Sequence, residues 1–182
     1  PLLGDLLRIE NGATDDPDSY RLVLTPSCDL DVCEGREPKV DKILVAKCCT
    51  VALAVPEDLR KPGSAKLAKK AASRLKQALT EGLGESAIPL PAIPGVFPDM
   101  GADLKRLELL DYSTDGKRIS GRSGGRSVSF VRVASVDSPF REQMAWNYQR
   151  VACRPGMPDR DIASWSDATS AALKAAAAEV AE

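Results

Sequence analysis

Residues 42–55 read Lys42-Ile43-Leu44-Val45-Ala46-Lys47-Cys48-Cys49-Thr50-Val51-Ala52-Leu53-Ala54-Val55. The stretch is rich in aliphatic residues and too long for one ordinary strand, so it is read as a bent strand or a strand pair. Upstream, Gly4-Asp5 leads into Leu6-Leu7-Arg8-Ile9, a polar break follows around Asn11-Gly12 and Asp15-Asp16-Pro17, and Tyr20 to Thr25 is apolar again. Two strands joined by a loop account for that pattern. The first sixty or so residues therefore predict a strongly curved antiparallel sheet or a small β-barrel.

The rest of the chain adds helices to that sheet. Ser64 caps a helix that runs to Glu81, where Gly82 and Gly84 stop it, and Leu67, Ala71, Leu75, Ala78 and Leu79 share one face. Pro89, Pro91, Pro94 and Pro98 exclude a helix and suit an extended edge or a crossover. Strands are expected at 102–112 and 128–136, separated by a Gly-, Ser- and Arg-rich loop over 113–127. Ser138-Pro139 opens a second helix with Phe140, Met144, Tyr148 and Val151 as its stripe, ended by Arg154-Pro155-Gly156. The alanine-rich tail from Ser166 is a third helix, peripheral or docked on a neighbour. The fold class is α+β: a curved antiparallel sheet or small barrel with about three flanking helices. One domain over 1–182 is expected, as a module of a larger protein or system.

Composition removes whole classes of chemistry. The 182 residues contain no histidine, which excludes Ser-His and Cys-His nucleophiles, a His general base and His-ligated zinc. Lys42 and Lys47 break the longest apolar run, so no helical membrane span and no membrane partner are expected. Five cysteines, an odd number in a chain of this size, fit a reducing cytoplasm. The formal net charge of −1 hides segregation: residues 1–37 carry nine acidic against three basic residues. Residues 60–81 carry seven basic residues against Glu81 alone, and residues 117–160 nine basic against three acidic. The two basic segments are expected to merge into one patch.

Three constellations carry chemical possibilities. Lys66, Lys69, Lys70 and Arg74 on the first helix, with Arg122 and Arg126 in the loop, are the arrangement a nucleic-acid backbone would require, and a solvated surface is the plain alternative. Ser27, Cys28 and Asp29 follow a strand directly and form either a ligand site or a turn, with Cys28 expected to be largely buried and Asp29 near turn amides. Cys28, Cys33, Cys48 and Cys49 have poor spacing for a four-thiolate zinc centre. The loop 120–126 lacks the Gly-Lys-Ser/Thr ending of a phosphate-binding loop.

Two passages, YRLVLTPSCDL at 20–30 and SPFREQMAWNYQRVACRPGMPDRD at 138–161, resemble a family of bacterial domains that stand beside signalling or defence modules. That resemblance brings no established activity and no catalytic positions; the missing catalytic sets, the segregated charge and the docking-type terminal helix point instead to a non-enzymatic binding or effector role with a protein partner or adjoining domain. Gly4-Asp5 and Arg21 through Thr25 also resemble the MazF/PemK barrel toxins, in which a Gly-Asp turn opens the first strand. This second resemblance implies a ribonuclease that would use Arg21 and Thr25. The Pro26-Ser27-Cys28-Asp29 continuation departs from that pattern. No cofactor is expected under either reading. Metal analysis of protein purified without chelator should find no stoichiometric zinc, and one zinc per chain would reverse the reading of the cysteines.

Overall fold

The computed structural model describes residues 1–30, 37–54, 63–82, 86–113, 118–153, 166–167 and 169–171. Seven strands follow one another as β1 (Asp5–Ile9), β2 (Tyr20–Val23), β3 (Lys42–Cys49), β4 (Ala87–Leu90), β5 (Met100–Tyr112), β6 (Ile119–Ser123) and β7 (Arg126–Ser135). Helix α1 (Ser27–Leu30) is one turn, and α2 (Ala65–Glu81) and α3 (Phe140–Ala152) are the long ones. Pro1–Ala152 is one compact unit, and Cys153–Glu182 is a second, of which Cys153 and helical residues at 166–167 and 169–171 are described. No helix among the described residues is long and apolar enough to cross a membrane.

The sheet order is β3-β2-β1-β7-β6-β5-β4, and β3 also pairs with β5, which closes six strands into an antiparallel barrel and leaves β4 outside it. Residues 42–55 supply the closing strand β3 and then a 3-10 turn at Val51–Ala54. The bend expected there is visible in the register. Ala46 pairs with Leu107 but Lys47 with Asp103, so β5 bulges by three residues where β3 turns the corner.

Alternation along each strand divides the apolar residues between two cores. Leu7, Val23, Ile43, Val45, Leu110, Ile119 and Phe130 fill the barrel interior, and Leu30 of α1 packs with them. Leu6, Tyr20, Leu22, Ala46 and Cys48 face outward and are covered by Met144 of α3, Ile88 and Leu90 of β4, and the start of β5. Tyr148 and Val151 continue the expected stripe of α3 against this layer, but Phe140 at its start is 66% exposed.

The loop expected over 113–127 is largely a hairpin. Gly124 and Gly125 both take positive φ, 56° and 79°, which is the backbone twist a two-residue turn between β6 and β7 requires. Four residues of that passage, 114–117, lie outside the described residues. Gly121 on β6 faces the interior opposite Val128, and a Cβ built there would stand 2.5 Å from Leu110 Cδ2 and 3.3 Å from Phe130 Cε2. The barrel is filled up to the glycine backbone. Replacing Gly121 with alanine should therefore lower unfolding free energy by roughly 1–3 kcal/mol through overpacking, read as a lower midpoint in chemical denaturation.

Candidate nucleic-acid interface

Helix α2 begins and ends as its sequence demands. Ser64 is the N-cap, with its Oγ accepting from Leu67 N at 3.4 Å, and Gly82 closes the other end at φ 66°. At 3.6 residues per turn, Lys66, Lys69, Lys70, Arg74 and Lys76 fall within an arc of about 160°, opposite Ala71, Leu75 and Ala78. Of the expected apolar face, Ala78 is buried and Ala71 and Leu75 are half-buried against the body, whereas Leu67 and Leu79 at its edges are exposed. The five cations are exposed, and none of them has an ion pair among the described residues. Glu81 is the only acid on the helix and accepts from Gln77 instead.

Helix α3 holds this helix by its end. Gln143 Nε2 donates to the Glu81 carbonyl at 2.8 Å, and Asn147 Nδ2 donates to the Gly82 carbonyl at 3.2 Å. Two side chains one turn apart thus satisfy carbonyls that a helix terminus leaves open. The contacts are 62 and 65 residues apart in sequence, so no local pattern announces them.

The hairpin cations sit elsewhere. Arg122 pairs with Ser127 and Arg126 with Ser123, so the two arginines leave opposite faces of the β6–β7 ribbon. That ribbon joins β5 at Asp111–Tyr112, whereas α2 rests on β4, which joins β5 at Met100–Asp103. Helix α2 and the arginine hairpin are thus tied to opposite ends of a 13-residue strand, while Arg141 and Arg150 of the same basic stretch lie on α3. Lys117, the start of the second segment, lies outside the described residues.

Arg21 is not at the surface. Its side chain points into the barrel with 1% exposure, its Nε donates to Glu108 Oε2 at 2.6 Å, and Nη1 donates to the Asp18 and Tyr20 carbonyls. The guanidinium carbon lies 5.8 Å from the centre of the Phe130 ring. Lys47 Nζ approaches the other Glu108 oxygen at 3.4 Å. Thr25 is also buried, and its Oγ1 accepts from Leu44 N at 2.7 Å, stitching the chain after β2 to β3. Both residues of the ribonuclease reading are committed to the fold.

The Ser27-Cys28-Asp29 segment corrects the expectation of a buried thiol. It follows β2 as the short helix α1, and Cys28 is exposed because the helical turn carries Leu30, not Cys28, into the barrel. Asp29 makes an ion pair with Lys39 at 3.5 Å, and Ser27 Oγ accepts from Leu3 N at 3.1 Å. Cys48 and Cys49 are buried, and burial pushes the Cys48 thiol far above its usual range. Among the described residues no three Cys, Asp or Glu side chains form a metal-binding group, and Cys33 lies outside them.

The Arg21–Glu108 pair makes an asymmetric prediction. Removing Glu108 strands a guanidinium that stays charged inside the barrel, whereas removing Arg21 leaves a partly exposed carboxylate that keeps Lys47. Glu108→Ala should thus destabilise by roughly 3–5 kcal/mol, and Arg21→Met by clearly less, as measured by denaturant titration of both variants. No family model, curated protein or solved structure matches this chain.

Proposed function

We propose that this domain is a non-enzymatic binding module that engages the sugar-phosphate backbone of a nucleic acid through the outward face of α2. The observation that carries the reading is five exposed cations, without ion pairs among the described residues, along about 15 Å of one helix face. Lys66–Lys70 and Lys70–Arg74 are like-charge pairs at four-residue spacing, each costing a few tenths of a kcal/mol in an isolated helix. A surface chosen for solubility alone would interleave acids, and a polyanion relieves this repulsion by displacing its own counterions. No aromatic side chain lies on the helix for base stacking, so the contacts expected are to phosphate and independent of base sequence.

The likeness of residues 20–30 and 138–161 to bacterial domains beside signalling or defence modules supports placing the module in such a system, in the cytoplasm. Burial of Arg21 and Thr25 favours binding over the ribonuclease alternative, because a side chain 1% exposed does not touch a substrate phosphate.

Fluorescence anisotropy with labelled single- and double-stranded RNA and DNA across a salt series tests the proposal. Dissociation constants of about 10⁻⁴–10⁻⁶ M are expected, weakening steeply as salt rises. The triple replacement of Lys69, Lys70 and Arg74 by Gln should reduce the slope of log affinity against log salt by about two to three. Absence of binding to all four polymers at low salt overturns the reading. Total RNA incubated with the protein should remain intact, and cleavage abolished by Arg21→Ala would restore the nuclease.

A further inference from the structure

A cavity of about 490 Å³ opens between β4, the turn at 91–97, the end of β7 and the first turns of α3. Ile88, Leu90, Phe97, Val136, Phe140 and Met144 supply its apolar walls. Ile93 and Phe140, 47% and 66% exposed, also line it and leave large apolar surface open to solvent. The size falls in the range of roughly 300–1,000 Å³ that encloses a small organic molecule. Among the described residues the cavity meets α2 only at Gly82, past the last of the five cations, and its assignment does not rest on the nucleic-acid reading.

The lining restricts the occupant. A peptide strand added to β4 is blocked: Leu104 N donates to Ser86 O, so residues 86, 88 and 90 direct their backbone at β5 and position 89 faces away. That position is Pro89, followed by Pro91, and neither offers an N–H to an incoming strand. The polar side chains of the lining are Ser135, Asp137 and Gln143, and Asp137 is the one ionised group. Asp137 is 92% exposed; its Oδ1 accepts from Ser138 N at 2.8 Å and pairs with Arg141 at 3.7 Å, and its Oδ2 keeps acceptor capacity. That oxygen can accept from a ligand hydroxyl or amine and offers a carboxylate nothing, a preference held to a few-fold by its exposure and by the Arg141 pair.

We infer that this cavity is a binding site for a small, mainly apolar molecule carrying an amine or hydroxyl group. Its occupancy also bears on α2. Gln143 lines the cavity and donates to the Glu81 carbonyl, and Gly82 lines it beside that bond. A molecule packed against Gln143 and Gly82 restrains the joint that holds the end of α2, and exchange of the amides in that last turn slows.

Three fluorescent probes of matched size test this: 1-naphthylmethylamine, 1-naphthalenemethanol and 1-naphthoate. The amine and alcohol should saturate at one site per chain, with the carboxylate roughly two- to fivefold weaker. Asp137→Asn should remove most of the difference between amine and carboxylate. Phe140→Ala and, separately, Ile93→Ala should each weaken the amine by about fivefold or more through lost apolar contact. Both positions are exposed, so unchanged melting curves verify that the variants fold. Amine binding should slow hydrogen exchange at residues 78–82. No saturable binding at millimolar probe, equal affinity for all three probes, or full affinity in both wall variants overturns the assignment.

Discussion

A permanently charged guanidinium inside a closed barrel is the constraint around which this domain is arranged. Arg21 alternates inward with Val23 on β2 because Tyr20 and Leu22 are required for the outer core beneath α3 and β4. Once inside, it cannot lose its charge, so the barrel must bring acceptors to it. Glu108 arrives on β5, whose position is fixed by the pairing with β3, and Lys47 joins from β3 beside the bulge that lets the strand turn. The ion pair and barrel closure therefore specify one another: without the β3–β5 seam Arg21 has no counterion, and without Glu108 the seam encloses an uncompensated charge.

This arrangement bears directly on function. A barrel with an arginine near its first turn invites a catalytic interpretation, yet the geometry directs that arginine inward and binds its Nη1 to two backbone carbonyls as well. Chemistry at the surface is left to features added around the barrel. Helix α2 is gripped at its carboxyl end by Gln143 and Asn147, and its cations point away from the body. The same Gln143 forms part of a cavity bounded by the proline-bearing edge strand. One side chain of α3 thus stands between a charged outer face and an apolar site.

Much of the fold was legible in residue pattern. The bounds of α2 followed from Ser64 and Gly82, the edge character of β4 from Pro89, and the curved sheet from the length of the 42–55 run. What escaped was set by contacts distant in sequence or by glycine conformation. Gly124-Gly125 makes a tight turn where composition alone reads as a loose loop. Cys28 looks like core filler after an apolar strand, but the chain enters a helical turn that carries Leu30 inward in its place. The partner of Arg21 lies 87 residues away, and nothing near Glu108 marks it as an interior charge. Where the α2 cations lie relative to Arg122 and Arg126 was equally beyond reach of the sequence, because it depends on which end of β5 each is tied to.

The central claim is that anion recognition belongs to α2 and not to Arg21, Thr25 or the 27–29 segment of the barrel. Backbone amide shifts of the isotope-labelled domain, followed during titration with a short RNA duplex at low salt, locate the contact residue by residue. The account predicts perturbations concentrated at Lys66–Lys76 that vanish as salt is raised, with Arg21 and Thr25 unmoved. Perturbations concentrated at Arg21, Thr25 and residues 27–29, with α2 silent, would contradict it.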